Sequence, residues 1–300
     1  MSKLIVTGGA GFIGSHLTDK LVELGHEVMV VDNLMLGRKE FVNKKAKFFK
    51  VDIRNLKKLK EIFKGAEAVF HLAADSRLQM SFDDPISTHE ITVTGTLNVL
   101  LAAKEMGVKK VVFSSTCAVY GDQPIPIKES YIPHPLSLYG LHKLIGEEYG
   151  RLFYKLYGSQ SVFLRYCNVF GPRKLPSGSY PMVIPIFLDQ RQKGQKLTIV
   201  GDGTATRDYV YVSDVVEANI KAWQSAVGDG RAINIGSGKQ ISVNEIAKLV
   251  GGPTVNIPPR PGEMKFIAAD ASLAKQLLGW EPKVSFEEGI KMLKKEWGVE

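Results

Sequence analysis

At 300 residues the chain is long enough for two lobes around a sizeable core, and with 44% hydrophobic and 23% charged residues it reads as an ordinary globular protein rather than a disordered or fibrous one. No apolar run reaches the roughly 18 residues of a membrane helix, and the two cysteines, Cys117 and Cys167, are too few for a disulfide framework and read as small buried hydrophobes. The net charge is +8, but the lysines are spread: Lys44, Lys45, Lys47, Lys50, Lys57, Lys58, Lys60 and Lys64 decorate the surface of one region, Lys109 and Lys110 precede a strand, and with no aromatic residues interleaved they read as solvated faces, so no nucleic-acid partner is expected. No His/Cys cluster has zinc spacing, so no metal is expected. Met1-Ser2-Lys3 runs straight into an apolar strand without a secretory leader, which points to a cytoplasmic protein with no membrane partner.

In chain order, strand-like apolar runs at 4–7, 27–31, 47–51, 68–72, 110–114 and 161–166 alternate with amphipathic helical stretches near 12–24, 55–63, 85–106 and 136–157. Short β-branched runs alternating with longer helices predict parallel βαβ units. The fold class is therefore α/β: a Rossmann-type doubly wound parallel sheet that binds ligands at the carboxyl ends of its strands. The helix near 85–106 has clear ends, with Asp84 as N-cap, Pro85 at the first position and Gly107 as stop. Its middle, Thr92-Val93-Thr94-Gly95-Thr96, is poor helix material, and Gly95 is read as a site of close backbone approach. Proline and glycine rise after about residue 168, which predicts a smaller α/β substrate lobe. The expected division is a dinucleotide domain over 1–167, rejoined at about 208–238, with the second lobe over 168–207 and 239–300.

The first strand runs into Gly8-Gly9-Ala10-Gly11-Phe12-Ile13-Gly14 and then a helix, so that residues 9–14 satisfy G-x-G-x-x-G. Such glycines allow a tight turn and close approach of a pyrophosphate to a helix N-terminus. Asp32 ends the next strand, eighteen residues past Gly14. It would accept hydrogen bonds from ribose hydroxyls and repel a 2′-phosphate, which favours NAD over NADP. Asp52-Ile53, after the third strand, is placed to meet the adenine. Tyr139-Gly140-Leu141-His142-Lys143 sets a phenol and an ammonium four residues apart, on one face of a helix. The cation would lower a phenol pKa that is otherwise near 10. Thr116, just past the fifth strand, offers a hydroxyl to the same substrate oxygen.

The segments Thr7–Gly14, "HLAA" (His71–Ala74), "SSTCAVYGD" (Ser114–Asp122), "YGLHK" (Tyr139–Lys143), "LRYCNVFGPR" (Leu164–Arg173), "GDGTATRDYVYVSDV" (Gly201–Val215), "NIGSG" (Asn234–Gly238) and "RPGE" (Arg260–Glu263) resemble, in order, the extended short-chain dehydrogenase/reductases. Among these the chain most resembles the UDP-hexose 4-epimerases, which interconvert UDP-glucose and UDP-galactose. The resemblance implies bound NAD held by Gly8, Gly11, Phe12, Ile13, Gly14, Asp32, Asn33, Asp52, Ile53, Leu72, Ala73, Ala74, Tyr139 and Lys143. It implies catalysis by Thr116, Tyr139 and Lys143. It also implies a UDP-sugar held by Ser76, Thr116, Tyr139, Asn168, Arg207, Arg260 and Ile267, the arginines on its pyrophosphate. Tyr139 would take the proton of the 4-hydroxyl while carbon-4 gives its hydride to NAD; the keto sugar would turn over and take the hydride back on its other face. Helices near 85–106 and 136–157 resemble the family's four-helix dimer interface, which implies a homodimer.

Three departures from the family pattern carry information. Its dehydratases place Asp-Glu after the threonine, where this chain has Cys117 and Ala118, which argues against elimination of water. Thr92 stands where asparagine is common near the nicotinamide, although a threonine still hydrogen-bonds. Ile267 occupies a hexose-pocket position at which a large aromatic excludes N-acetyl sugars, so N-acetylhexosamines are a further expected substrate class. A reductase, dehydratase or decarboxylase on the same scaffold is the alternative, and a non-catalytic NAD sensor a more distant one.

Overall fold

The computed structural model describes residues 1–176, 182–258 and 267–300. Strand β1 (Lys3–Thr7) turns into helix α1 (Phe12–Glu23) and returns as β2 (Glu27–Asp32); β3 (Lys47–Lys50), α2 (Leu56–Phe63) and β4 (Ala68–His71) follow. Next come α3 (Leu78–Asp83), α4 (Pro85–His89), a π-helical turn at Glu90–Thr94, α5 (Gly95–Glu105), β5 (Lys110–Thr116), α6 (Leu138–Tyr157) and β6 (Gln160–Tyr166). The rest comprises β7 (Asn168–Phe170), α7 (Val183–Gln192), β8 (Leu197–Val200), β9 (Thr206–Arg207), β10 (Tyr209–Tyr211), α8 (Val212–Gln224), β11 (Asp229–Ile235), β12 (Ile241–Ser242), α9 (Val243–Val250), β13 (Thr254–Ile257), α10 (Ser272–Leu278) and α11 (Phe286–Trp297).

Seven strands form one parallel sheet in the order β11-β6-β5-β4-β1-β2-β3. The winding reverses between β1 and β4, and that switch point leaves a crevice at the carboxyl ends. Both faces of the sheet are covered, and the two-residue period of each strand divides its side chains between them. Leu4, Val6, Val28, Val30 and Phe70 join Leu17 and Leu21 of α1 and Ala218 and Ala222 of α8 on one side. Ile5, Met29, Val31 and Val69 join α2 and α5 through Leu59, Ile62, Val99 and Leu100 on the other. After β6 the chain leaves the sheet for two-stranded pairs, β7–β10, β9–β12 and β8–β13, and it rejoins through β11 beside β6.

Three local expectations change. The stretch at 85–106 is not a continuous α-helix: the Thr/Val run of poor propensity widens into the π turn at Glu90–Thr94, with α-helix on either side. The Asp84 cap is present, its carboxylate accepting the Ser87 N–H at 3.1 Å. Gly95 admits a side chain rather than backbone, since a Cβ there would lie 2.5 Å from Cδ1 of Ile53. Lys110 is buried, not a surface lysine; its ammonium donates to the carbonyls of Trp223 (3.2 Å) and Ser225 (2.5 Å) and so caps the C-terminal end of α8. Both cysteines are buried, and they face each other at the ends of β5 and β6 with their sulfurs 3.3 Å apart, as free thiols. No helix among the described residues is long and apolar enough to cross a membrane, and no described cluster of His, Cys, Asp or Glu could hold a metal ion.

Candidate active site

The turn between β1 and α1 is closed by backbone contacts that exclude any side chain. Gly8, at φ +73°, lies against the end of β4: a Cβ there would be 2.7 Å from the Ala73 nitrogen. A Cβ on Gly14 would stand 2.2 Å from the Gly8 carbonyl oxygen, and one on Gly11 3.1 Å from the same atom. Helix α1 begins at Phe12 and Ile13 with Gly11 as N-cap, so no side chain satisfies its first N–H groups and no acidic residue sits in its first turn. Unsatisfied donors at the positive end of a helix, in a cradle cleared of Cβ atoms, fit a dinucleotide pyrophosphate. Asp32, buried at the end of β2, accepts the Ala10 N–H at 3.0 Å with one oxygen and the Leu34 N–H at 2.8 Å with the other. Burial pushes this carboxyl up, and the two N–H donors counter it. Asp52 follows β3 on the same side of the crevice. Its carboxylate forms a fork with Arg54 and accepts the Asn33 amide at 2.9 Å, and Arg54 holds it down at about 2. The adjacent Ile53 is buried against Gly95.

Beyond β4, the strip Leu72-Ala73-Ala74-Asp75-Ser76 is fixed by a buried chain of hydroxyls. The Thr96 hydroxyl donates to the Thr92 carbonyl at 2.5 Å. Its oxygen therefore accepts from His71 Nε2–H at 3.0 Å, which leaves Nδ1 to accept the Thr7 hydroxyl at 2.7 Å. The ring is neutral; burial and the Lys143 charge push its pKa down to about 3. The Ala73 N–H then donates to Thr7 (3.4 Å) and the Asp75 N–H to Thr92 (3.2 Å), so the strip is tied at both ends. Thr92 thus serves the backbone of the strip from within the π turn.

Strand β5 runs to Thr116, two residues further than its apolar run predicts, and so delivers that hydroxyl to the sheet edge. Its oxygen accepts the Ala118 N–H at 3.1 Å, and the O–H hydrogen remains as a donor. Helix α6 starts directly against this turn. Ser137 caps it by accepting the Gly140 N–H at 3.1 Å, and a Cβ on Gly140 would meet the Ala118 carbonyl oxygen at 2.7 Å. Glycine at that position is what allows the first turn of α6 to pack on the backbone just after Thr116. Tyr139 is half-buried in the first turn of α6, where the helix dipole favours an anion. Lys143, one turn on, is only 2% exposed, and its ammonium stands 4.4 Å from the centre of the Phe113 ring. Burial pulls it down to about 7, against the pull of the Glu147 carboxylate, so its proton is labile in the neutral range.

Asn168 opens the β7–β10 pairing, its N–H donating to the Asp208 carbonyl at 2.9 Å, and Arg207 ends β9 just before it. Ile267 packs on the apolar cluster that holds Cys117 and Cys167 and that Leu144 also joins. Arg260 lies outside the described residues. The sequence reading missed Asp208, which is wholly buried and accepts N–H groups of Ser237 (2.7 Å), Gly238 (3.0 Å) and Ala269 (3.1 Å). It thereby fixes the "NIGSG" turn and the segment after Ile267; its only signal was a carboxylate beside Arg207 at a strand start. Glu147 and Arg165, also missed, form a buried pair under the Tyr139–Lys143 helix, with Arg165 Nε and Nη2 at 2.9 and 2.6 Å from the carboxylate oxygens.

Known proteins resemble this chain in sequence and fold. The model of the NAD dependent epimerase/dehydratase family matches residues 4–236. A protein of Methanocaldococcus jannaschii named as a putative UDP-glucose 4-epimerase is 42% identical, with 96% of each chain covered. The solved structure of a UDP-glucose 4-epimerase from Thermotoga maritima with UDP-glucose superposes with a TM-score of 0.93 at 41% identity, covering 99% of this chain and 98% of that one. A UDP-N-acetyl-α-D-glucosaminuronate decarboxylase of Bacillus cytotoxicus is 34% identical, with 96% of this chain and 95% of that protein covered.

Proposed function

The chain belongs to the NAD-dependent epimerase/dehydratase family, and from that premise we propose that it is a UDP-hexose 4-epimerase acting on UDP-glucose and UDP-galactose. What supports the reading most is the placement of Thr116 at the end of β5, Tyr139 in the first turn of α6 and a buried, labile Lys143 one turn on, with no acid or base after the threonine. Cys117 is turned away into the apolar cluster, where it donates to the Arg165 carbonyl and faces Cys167, and Ala118 has no functional group. Elimination of water needs a proton donor and a base at that place; proton removal from a hydroxyl and its return need only the phenol.

The glycine cradle and Asp32 would hold NAD, the carboxylate of Asp32 suiting a ribose diol, and bound NAD would supply reversible acceptance of a hydride. The other steps belong to the protein. Thr116 donates to the sugar 4-oxygen and orients it. Tyr139 takes the hydroxyl proton and later returns it. Lys143 stabilises the phenolate and binds the nicotinamide ribose. Asn168, Arg207 and Arg260 hold the uridine diphosphate end, and Leu72–Ser76 line the path between the two ligands. We place the enzyme in the cytoplasm as a homodimer joined through α5 and α6. Incubation of the purified protein with UDP-glucose and no added cofactor should give an equilibrium mixture with UDP-galactose, identified by NMR. A product of different mass, or reduced nucleotide formed in proportion to product, overturns the reading.

The sugar preference rests on Ile267. Isoleucine leaves room near carbon-2 that an aromatic would fill, so the N-acetyl forms are included as substrates. Ile267→Tyr should depress kcat/KM for UDP-N-acetylglucosamine well below that for UDP-glucose, because overfilled sites repack at a cost of about 1–3 kcal/mol. Equal losses on both substrates would show that Ile267 is not the gate.

A further inference from the structure

The carboxylate of Glu147 is wholly buried one turn beyond Lys143 and binds three elements at once. One oxygen accepts the Ser115 hydroxyl of β5 at 2.5 Å and Nε of Arg165 of β6 at 2.9 Å; the other accepts Arg165 Nη2 at 2.6 Å and Arg151 Nη2 of α6 at 2.9 Å. Ser115 is the residue before Thr116, and Arg165 faces Ser115 in the strand register. Removing a carboxylate and a guanidinium from water is costly, and such a pair is often no more stabilising than apolar residues of the same volume. Its directional contacts give a different benefit. The surface of α6 that faces the sheet is smooth. Gly146 and Gly150 lie on the Phe113 and Phe163 rings so closely that a Cβ would stand 2.8 and 2.2 Å from the ring atoms. Apolar contact of that kind does not fix the rotation or slide of a helix, whereas a forked, charge-assisted hydrogen bond does.

We infer that Glu147 is a positioning residue for the acid–base pair: joined to Ser115 and Arg165, it locks α6 in register with the ends of β5 and β6 and so holds Tyr139 and Lys143 at Thr116. The inference rests on the proton-transfer role proposed above for those residues. Glu147 also contributes the opposing charge that raises the Lys143 pKa against the larger pull of burial. Around Lys143 stand His71 from β4, the Phe113 ring from β5, and Tyr139 and Glu147 on its own helix. Around Glu147 stand Ser115, Arg165 and Arg151, with the Tyr120 ring on the far side of Arg165. Nearby, His142 packs on His89 of α4.

The test uses the full-length protein in two variants, each checked by thermal melting. In Glu147→Gln, protein labelled with 13C-lysine should show the Lys143 titration, assigned by its loss in Lys143→Arg, displaced to lower pH by about one unit. In Ser115→Ala the fold loses one neutral donor, but kcat for UDP-glucose should fall on the order of tenfold to a hundredfold from the misplacement, with NAD affinity held. A Lys143 midpoint unchanged in Glu147→Gln, or a wild-type kcat in Ser115→Ala, overturns the proposal. If Glu147→Gln does not fold, the kcat of Ser115→Ala decides. If the wild-type protein turns over no UDP-sugar, it is the functional reading that fails, and the Lys143 titration then decides the role of Glu147.

Discussion

A phenol is a poor base at neutral pH, and three features act on Tyr139 together. It stands in the first turn of α6, it has the Lys143 ammonium one turn away, and Gly140 lets it approach the turn that Thr116 caps. Tyr139→Phe removes only the proton-transfer group. Turnover should fall by about 100–10,000-fold while NAD and UDP-sugar binding stay close to wild type by calorimetry; near-normal turnover would remove Tyr139 from the mechanism. The sign of the lysine effect follows from charge. A cation lowers the phenol pKa, so loss of the cation raises it, and the ionised fraction at any given pH falls. The rising limb of the kcat/KM profile should therefore move to higher pH in Lys143→Ala. In the wild type Lys143 itself, pulled down to about 7, loses its proton as pH rises, which should bend the profile over on the alkaline side. An alkaline limb unchanged on substitution would dissociate Lys143 from the phenol.

The elements of the dinucleotide half were legible because their signals are local. Short apolar, β-branched runs marked the first six strands of the sheet, and glycine spacing marked the β1–α1 turn. The Thr116, Tyr139 and Lys143 candidates could be read from their spacing, and the contact of Gly140 with Ala118 supplies the geometry that spacing lacks. What stayed hidden depends on partners distant in the chain. The buried cap made by Lys110 requires the end of α8, more than a hundred residues away, and Glu147 reads as one more charge on an amphipathic helix until Arg165 is folded beneath it. The π turn was visible only as poor propensity, because a widened helix has no sequence period of its own over five residues. The glycine cradle gives the clearest element-level prediction. In Gly14→Ala a Cβ must occupy a point 2.2 Å from the Gly8 carbonyl oxygen, and neither partner is a flexible side chain. The turn must open, at a cost of about 1–3 kcal/mol. Thermal stability should drop, and NAD absorbance should disappear from the purified protein. Retention of both would mean that the cradle is softer than its contacts indicate.

At the scale of the whole molecule, the segments that follow β5 and β9 are bound to the end of β11 by buried polar groups rather than by the sheet alone. Asp208 ties the end of β9 to the "NIGSG" turn after β11, and Asn234 of β11 accepts the Tyr120 hydroxyl at 2.7 Å while donating to the Ile127 carbonyl at 3.0 Å. Among the described residues, the outer surface of α6 leaves apolar side chains exposed. Leu141, Leu152 and Leu156 recur at helical spacing, 40%, 50% and 63% exposed, beside the half-buried Leu97 and Leu101 of α5. An apolar stripe along two adjacent helices is costly to leave in water and suits an isologous interface, in which the same pair of helices from a second copy completes a four-helix bundle. Light scattering should therefore give twice the 33.1 kDa of the chain. Leu152→Glu would set a charge on that stripe, near its own copy across a two-fold axis, where burial and like-charge repulsion add. The variant should run as a monomer with its sheet intact by circular dichroism and with bound NAD retained, since the glycine cradle lies on the far side of β5 from α6. If Leu152→Glu keeps the mass of the wild type, the α5–α6 surface is not the interface, and the exposed leucines of α6 require another explanation.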